Sequence, residues 1–411
     1  MMITVAGGWY EELCAEPHWH EYYGPGGRAA VALAGRKADI RLLTYCPTSE
    51  KEKLEYLAKS FGFAVQIFGE ASPLIRFQYL HWLRPPQISP TSAGNPQLPP
   101  IRADDAENAI RYGFYEGDAI VKSRRAVYDP QNAPERVRPF ADNGSTAEQL
   151  SIVCNFAEGS KLTGETSPPN ILDSLLSTPN IAAVALKGAW EGVFVATKAA
   201  RELIPPTPTA NVHKIGSGDV FTAEFAYGWM ALALDPIAAA RRASLQVAHY
   251  SNSASLPVPE SATPTPAPAP QTASRDDPGK KYDLYVAGPF FNYSQLSVVE
   301  EMTAHFLDAG LRVFSPYHDV GLNLGASHAP KIAKQDLDGL RASRILVACL
   351  EGYDPGTIFE VGYARAIGIP VLLYAPNLSE LNSTMFLGTG CEVARDLTTA
   401  VYRAAWWAKG T

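Results

Sequence analysis

Two apolar patterns alternate along this chain. Short continuous runs, Ile3-Thr4-Val5-Ala6, Ile40-Arg41-Leu42-Leu43-Thr44-Tyr45, Ala126-Val127-Tyr128-Asp129-Pro130, Ser151-Ile152-Val153-Cys154-Asn155 and Ile181-Ala182-Ala183-Val184-Ala185-Leu186, have the length and branching of buried strands. Between them lie segments with helical composition: 28–34 behind a Gly24-Pro25-Gly26-Gly27 turn, 51–61, and an Ala-rich helix pair over 219–252. Such alternation predicts a doubly wound, mostly parallel α/β sheet across residues 1–253. The Pro-rich piece 85–100 is expected to be a loop or excursion, and no internal repeat is present.

The pattern breaks at 254–279, where Pro257, Pro259, Pro264, Pro266, Pro268 and Pro270 alternate with Ala, Thr and Ser. This composition cannot bury a core and reads as an extended, semi-rigid linker. Residues 280–411 then restart with strands at 282–288, 311–314, 344–350 and 370–374, separated by helices at 296–309, 331–342 and around Glu360. This predicts a second, smaller flavodoxin-like or Rossmann-like α/β domain.

Composition narrows the class. A length of 411 residues suits two to three domains. A net charge of −7 without a long basic run argues against nucleic acid or anionic membrane as a main partner. The five cysteines are scattered with no CxxC spacing, which speaks against a disulfide framework or zinc site and for a reducing compartment. The first residues carry no basic n-region, and no apolar run reaches membrane-spanning length. The expectation is a soluble cytoplasmic protein.

The chemistry concentrates in Asp354-Pro355-Gly356-Thr357-Ile358-Phe359-Glu360-Val361-Gly362-Tyr363-Ala364, directly after the apolar strand run 344–350. Glu360 lies among apolar neighbours with no cation in the preceding turn, and a carboxylate so placed needs a partner or a task. Open α/β sheets bind ligands outside the carboxyl ends of their strands, where Asp354 and Glu360 would both project. Two carboxylates there can serve as nucleophile and proton donor at a glycosidic bond. Asp336 falls on the same helical face as Ile332, Ala333, Leu337 and Leu340, whereas Asp338 falls opposite and is expected to be solvated. Asp354, just before Pro355, also fits an ordinary helix N-cap.

With 284–290, 313–316 (Val-Phe-Ser-Pro) and 333–337 (Ala-Lys-Gln-Asp-Leu), the stretch resembles the nucleoside 2-deoxyribosyltransferase family over most of 282–376. The resemblance implies that Glu360 attacks the sugar C1′, that Tyr285 orients it, and that Asp336 and Asp354 bind the base and manage its proton. It places Gly288, Pro289, Phe290, Gly356 and Asn382 at the substrate, requires no cofactor in this domain, and implies a homo-oligomer.

The first domain resembles the PfkB/ribokinase family through Gly216-Ser217-Gly218-Asp219-Val220-Phe221, Asn155-Phe156-Ala157-Glu158, Tyr128-Asp129-Pro130, Lys187-Gly188-Ala189-Trp190-Glu191-Gly192 and Gly26-Gly27-Arg28. A Gly-rich turn opening a helix directs backbone N–H groups at phosphate oxygens. The resemblance implies Asp219 as the base on an acceptor hydroxyl. It implies ATP held near Gly216, Ser217, Gly218, Asn155, Lys187 and Gly188, Mg²⁺ near Glu158, and substrate at Gly26 and Gly27. Three positions depart from the family pattern: His213-Lys214-Ile215 stands for Asp-Thr, Glu224 for Gly, and Val31 for Asn. Together the expectation is a PfkB-like sugar or nucleoside kinase or nucleotide-binding module joined to an enzyme that transfers or hydrolyses at the N-glycosidic bond of a nucleoside. The alternatives are a nucleoside 5′-monophosphate N-glycosidase, a nucleotide-sensing module that gates the second domain, or a kinase with a degenerate C-terminal domain.

Overall fold

The computed structural model describes residues 1–69, 73–91, 97–132, 134–261, 279–322 and 325–410. Two compact units emerge. One comprises Met1–Thr207 with His213–Thr265, the other Pro208–Val212 with Pro266–Thr411. Most of the expected linker, 262–278, lies outside the described residues.

The first unit is built on a nine-stranded sheet. Across it run Arg201–Ile204, Val193–Ala196, Ile181–Lys187, Thr146–Asn155, Ala119–Asp129, Ile101–Tyr112, Met2–Ala6, Asp39–Thr44 and Ala64–Ile67. Every pairing from Ile181–Lys187 to Ala64–Ile67 is parallel, and the hairpin at the other edge is antiparallel. The mostly parallel α/β architecture expected from the sequence is therefore present. Its strands read as apolar runs because both sheet faces are covered.

Several elements escape the apolar pattern. Ile101–Tyr112 is central, yet Asp104, Asp105 and Glu107 are exposed and interrupt its hydrophobic run. A second sheet, Trp19–Tyr22, Glu11–Glu16, Arg76–His81 and Gln87–Ser89, is carried by strands rich in charged and polar residues, of which Arg76–His81 alternates. Its last strand occupies part of the Pro-rich stretch expected to be a loop. The turn expected at 24–27 is the first turn of a helix, Gly24–Ala32, with Pro25 in the position where a missing N–H costs nothing. Gly26 is inside that helix because a Cβ there would lie 2.3 Å from the Gly7 carbonyl oxygen.

The second unit is a five-stranded, all-parallel sheet ordered Val313–Phe314, Tyr282–Ala287, Ser343–Cys349, Val371–Tyr374, Glu392–Ala394. In chain order this is 2-1-3-4-5, the flavodoxin-like arrangement, whose switch point falls between Tyr282–Ala287 and Ser343–Cys349. Ala329–Arg341 and Pro355–Ala366 pack together at these two strands. Phe314 stacks on Tyr285 at 5.4 Å between ring centroids, and Gly339 leaves room for it.

A Cβ on Gly339 would sit 2.4 Å from the Phe314 ring. Gly339→Ala is therefore expected to destabilise the chain by about 1–3 kcal/mol, the usual cost of overpacking. Urea unfolding of the variant beside the wild type measures it.

Candidate functional site

The switch point of the second unit gathers the acidic residues singled out in the sequence. Tyr285 is fully buried on Tyr282–Ala287 and donates its hydroxyl to Glu360 Oε1 at 2.5 Å. Glu360 is half-buried on Pro355–Ala366. Burial pushes its carboxyl up to about 7; the Tyr285 hydrogen bond opposes that rise, and the charges of Asp336 and Asp354 add to it. The Tyr285 phenol is pushed far up, first by burial and then by the Glu360 carboxylate.

Asp336 is half-buried on Ala329–Arg341, and desolvation raises it to about 6. Its Oδ1 is buried without a hydrogen-bond partner. Asp338 is exposed and pairs with Arg341, whereas Asp336 shares its side with Ile332, Leu337 and Leu340; Ala333, expected on that face, is exposed. Asp354 is the N-cap of Pro355–Ala366: its Oδ2 accepts from Thr357 N at 2.7 Å and Thr357 Oγ1 at 2.9 Å. The cap holds this carboxylate in place beside Glu360. Gly356 leaves space for it, since a Cβ there would come within 3.1 Å of Asp354 Oδ2.

Gly288, Pro289 and Phe290 follow the Tyr285 strand directly, at the same sheet edge. Gly288 permits close packing on Val299 and Cys349. Phe290 forms an aromatic group with Phe291 and Tyr317, at 5.4 and 5.6 Å between centroids. Tyr317 directly follows Ser315-Pro316, and no periodicity in the sequence marks it for the site. The side chain of Asn382 lies outside the described residues.

In the first unit, the predicted residues divide into two groups. Lys187 donates to Asp129 Oδ2 at 2.7 Å, Thr222 Oγ1 donates to the same oxygen at 2.7 Å, and Asp129 Oδ1 is buried without a partner. Burial alone would lower the Lys187 ammonium, but Asp129 and Glu158 raise it. Gly218 lies against its tip, a Cβ there being 3.3 Å from Nζ. Glu158 is pushed up to about 7, first by burial and then by Asp129. It also closes a capping box with Asn155 at the start of Phe156–Thr163, so the Asn-x-x-Glu spacing has a structural use. Gly188 follows Lys187 and leads into the 3₁₀ turn Ala189–Glu191.

The second group surrounds Asp219. Arg28 Nη1 donates to Asp219 Oδ2 at 2.9 Å, and Gln131 Nε2 donates to Oδ1 at 2.9 Å. Arg28 also reaches Glu12 Oε2 at 2.5 Å. Neither Glu12 nor Gln131 could be found from sequence, because each meets Arg28 or Asp219 only through the fold. Gly216 opens the helix Ser217–Ala226 in the left-handed region, φ 75°. Glu224, standing where the resemblance has Gly, is fully buried between Arg36 and Arg242, each at 2.5 Å. Gly26 and Gly27 accommodate Gly7 and Trp9.

Residues 284–397 match the family model described as nucleoside 2-deoxyribosyltransferase, so the C-terminal unit carries a domain of that family. Solved structures of ribokinase-family kinases are similar at low identity. The ribokinase from Thermotoga maritima is 15% identical, covering 64% of this chain and 96% of that one with a TM-score of 0.43. A fructokinase from Vibrio cholerae O395, solved with fructose, ADP and calcium, is 13% identical, covering 60% and 92% with a TM-score of 0.44. A pyrophosphate-dependent kinase in the ribokinase family, solved with a pyrophosphate analog and myo-inositol, is 13% identical, covering 60% and 93% with a TM-score of 0.43. No curated protein matches. Among the described residues, no helix is long and apolar enough to cross a membrane.

Two measurements check the electrostatics. Removing the donor in Tyr285→Phe takes away the contact that favours the charged form, so the Glu360 carboxyl is expected to titrate above about 7, followed by ¹³C NMR. In wild type, Glu360 at about 7 lies above an unfolded carboxylate at ~4.3, so between those values the folded chain holds a proton the unfolded chain has lost. Its contribution to stability therefore falls as pH rises through that window. The difference in urea midpoint between wild type and Glu360→Gln is expected to show that slope.

Proposed function

We propose that the C-terminal unit cleaves or transfers at the N-glycosidic bond of a nucleoside through a glycosyl–Glu360 intermediate. The observation that carries this reading is the 2.5 Å hydrogen bond from Tyr285 to Glu360, which fixes one oxygen of a carboxylate that forms no ion pair among the described residues. The other oxygen is left to attack C1′. As the C1′–O bond to Glu360 forms, the C1′–N bond breaks, and the base leaves with a proton from Asp336. A second base or a water molecule then attacks C1′ while giving its proton back to Asp336, and the C1′–O bond to Glu360 breaks. Asp336, raised to about 6, holds a proton more readily than an exposed carboxyl and has a free oxygen facing no donor. Asp354, held by its cap, adds negative charge that favours the developing oxocarbenium centre. Phe290 and Tyr317 offer aromatic surface for a base.

A second reading concerns the first unit. Lys187 over Gly218, the first N–H groups of Ser217–Ala226 and the unpartnered Asp129 oxygen suit a nucleotide polyphosphate, with Mg²⁺ held by Asp129 and Glu158. The cation would neutralise phosphate charge there. We further propose a homo-oligomer, as the sequence resemblance implies, working in the cytoplasm, as the scattered cysteines suggest.

Wild type incubated with nucleosides and nucleoside 5′-monophosphates is expected to release free base, read by chromatography, and Glu360→Ala to release none. Absence of release from every substrate with wild type would refute the reading. Adding an acceptor base separates transfer from hydrolysis, and the substrate that reacts separates nucleoside from monophosphate. The pH profile of kcat/KM is expected to be bell-shaped with its optimum between 6 and 7, since Glu360 must be ionised and Asp336 protonated. Asp336→Asn is expected to lower kcat/KM by about 10²–10⁴-fold and to leave a single rise as Glu360 ionises.

A further inference from the structure

The ion cluster around Asp219 bears on what the first unit can do with a bound nucleotide. A carboxylate that takes a proton from a hydroxyl must accept a hydrogen bond from it at ~2.6–3.2 Å. Asp219 already accepts from Arg28 on one oxygen and Gln131 on the other, both at 2.9 Å. Its backbone carbonyl is taken by the Tyr112 hydroxyl at 3.0 Å. The Arg28 side chain is 0% exposed, and those of Glu12 and Asp219 only 7% and 9%, so almost no surface remains for an incoming hydroxyl.

Arg28 is built into this place. Burial would lower its guanidinium, but Glu12, Tyr250 and Asp219 raise it well above the ordinary value, so it stays charged. It lies against the turn that opens Ser217–Ala226: a Cβ on Gly216 would be 2.0 Å from Arg28 Nε. Around it close Tyr23, whose ring the guanidinium overlies at 5.4 Å, and His213, ringed by Trp19, Trp82 and Tyr250. Burial and then Arg28 hold His213 down to about 3, which keeps this imidazole neutral. The lining is a buried guanidinium and aromatic rings; its unpartnered polar atoms, Arg28 Nε and Trp82 Nε1, are N–H donors that cannot take a proton from a hydroxyl. The Lys187–Asp129 group, by contrast, keeps an unpartnered carboxylate oxygen.

We propose that Arg28 occupies, from within the chain, the place where a phosphoryl acceptor would meet Asp219. The first unit then binds a nucleoside triphosphate at Lys187 and Gly218 without passing its phosphoryl group to a sugar or nucleoside hydroxyl. Asp219 serves to anchor Arg28 and does not act as a base.

Full-length protein with ATP and Mg²⁺ tests this in two arms. Equilibrium binding is expected to show saturable ATP binding that Lys187→Gln weakens at least tenfold. ADP formation is expected to be no faster with any member of a panel of free sugars and nucleosides than without them, in wild type and in Asp219→Asn alike. Asp219→Asn keeps the Arg28–Glu12 pair, and a thermal melt confirms that it is folded. Acceptor-stimulated ADP formation that Asp219→Asn abolishes would overturn the proposal. So would the absence of ATP binding by folded wild type.

Discussion

The second unit depends on a carboxylate kept half-buried beside two other acids, with no ion pair to offset it among the described residues. Burial and like charge both disfavour the ionised form of Glu360, and a single phenol hydrogen bond from Tyr285 opposes them. The bond ties a central strand to a helix across the switch point, so sheet order and acid chemistry are the same constraint seen twice. Phe314 stacked on Tyr285, and Gly339 making room for Phe314, hold the donor from behind. The acid is oriented because the core beneath it is packed.

Asp336 and Asp354 show how environment separates chemically identical groups. Asp354 spends one oxygen on the orphan N–H and hydroxyl of Thr357 and is thereby a helix cap as well as a charge beside Glu360. Asp336 has no such partner and is raised by burial. A proton donor and a permanently placed charge can therefore sit at one edge without exchanging roles.

The first unit handles buried charge in the opposite way. Glu12, Asp219 and Arg28 are compensated within one cluster, as are Glu224, Arg36 and Arg242. Such pairs add little net stability over apolar packing, but removing one member leaves a buried charge alone, commonly at ~3–5 kcal/mol. They specify arrangement more than they add strength, and Arg28 fits only because Gly216 lacks a side chain.

The sequence by itself determined the α/β class, the restart after residue 280 and the positions of Tyr285, Asp336, Asp354 and Glu360, because apolar runs and local motifs are properties of neighbouring residues. Helical spacing also separated Asp336 from Asp338. Only the tertiary structure decided which groups pair. Ile101–Tyr112 and the second sheet stayed hidden because charges, exposed in the first and partly buried in the second, interrupt their apolar pattern. The reciprocal hydrogen bonds that make Asn-x-x-Glu a capping box are likewise visible only in the structure. Arg28 meets Asp219 across 191 positions of chain, and Glu360 meets Tyr285 across 75. Contacts at such separations are made by the packing of sheets and helices, and no local pattern encodes them.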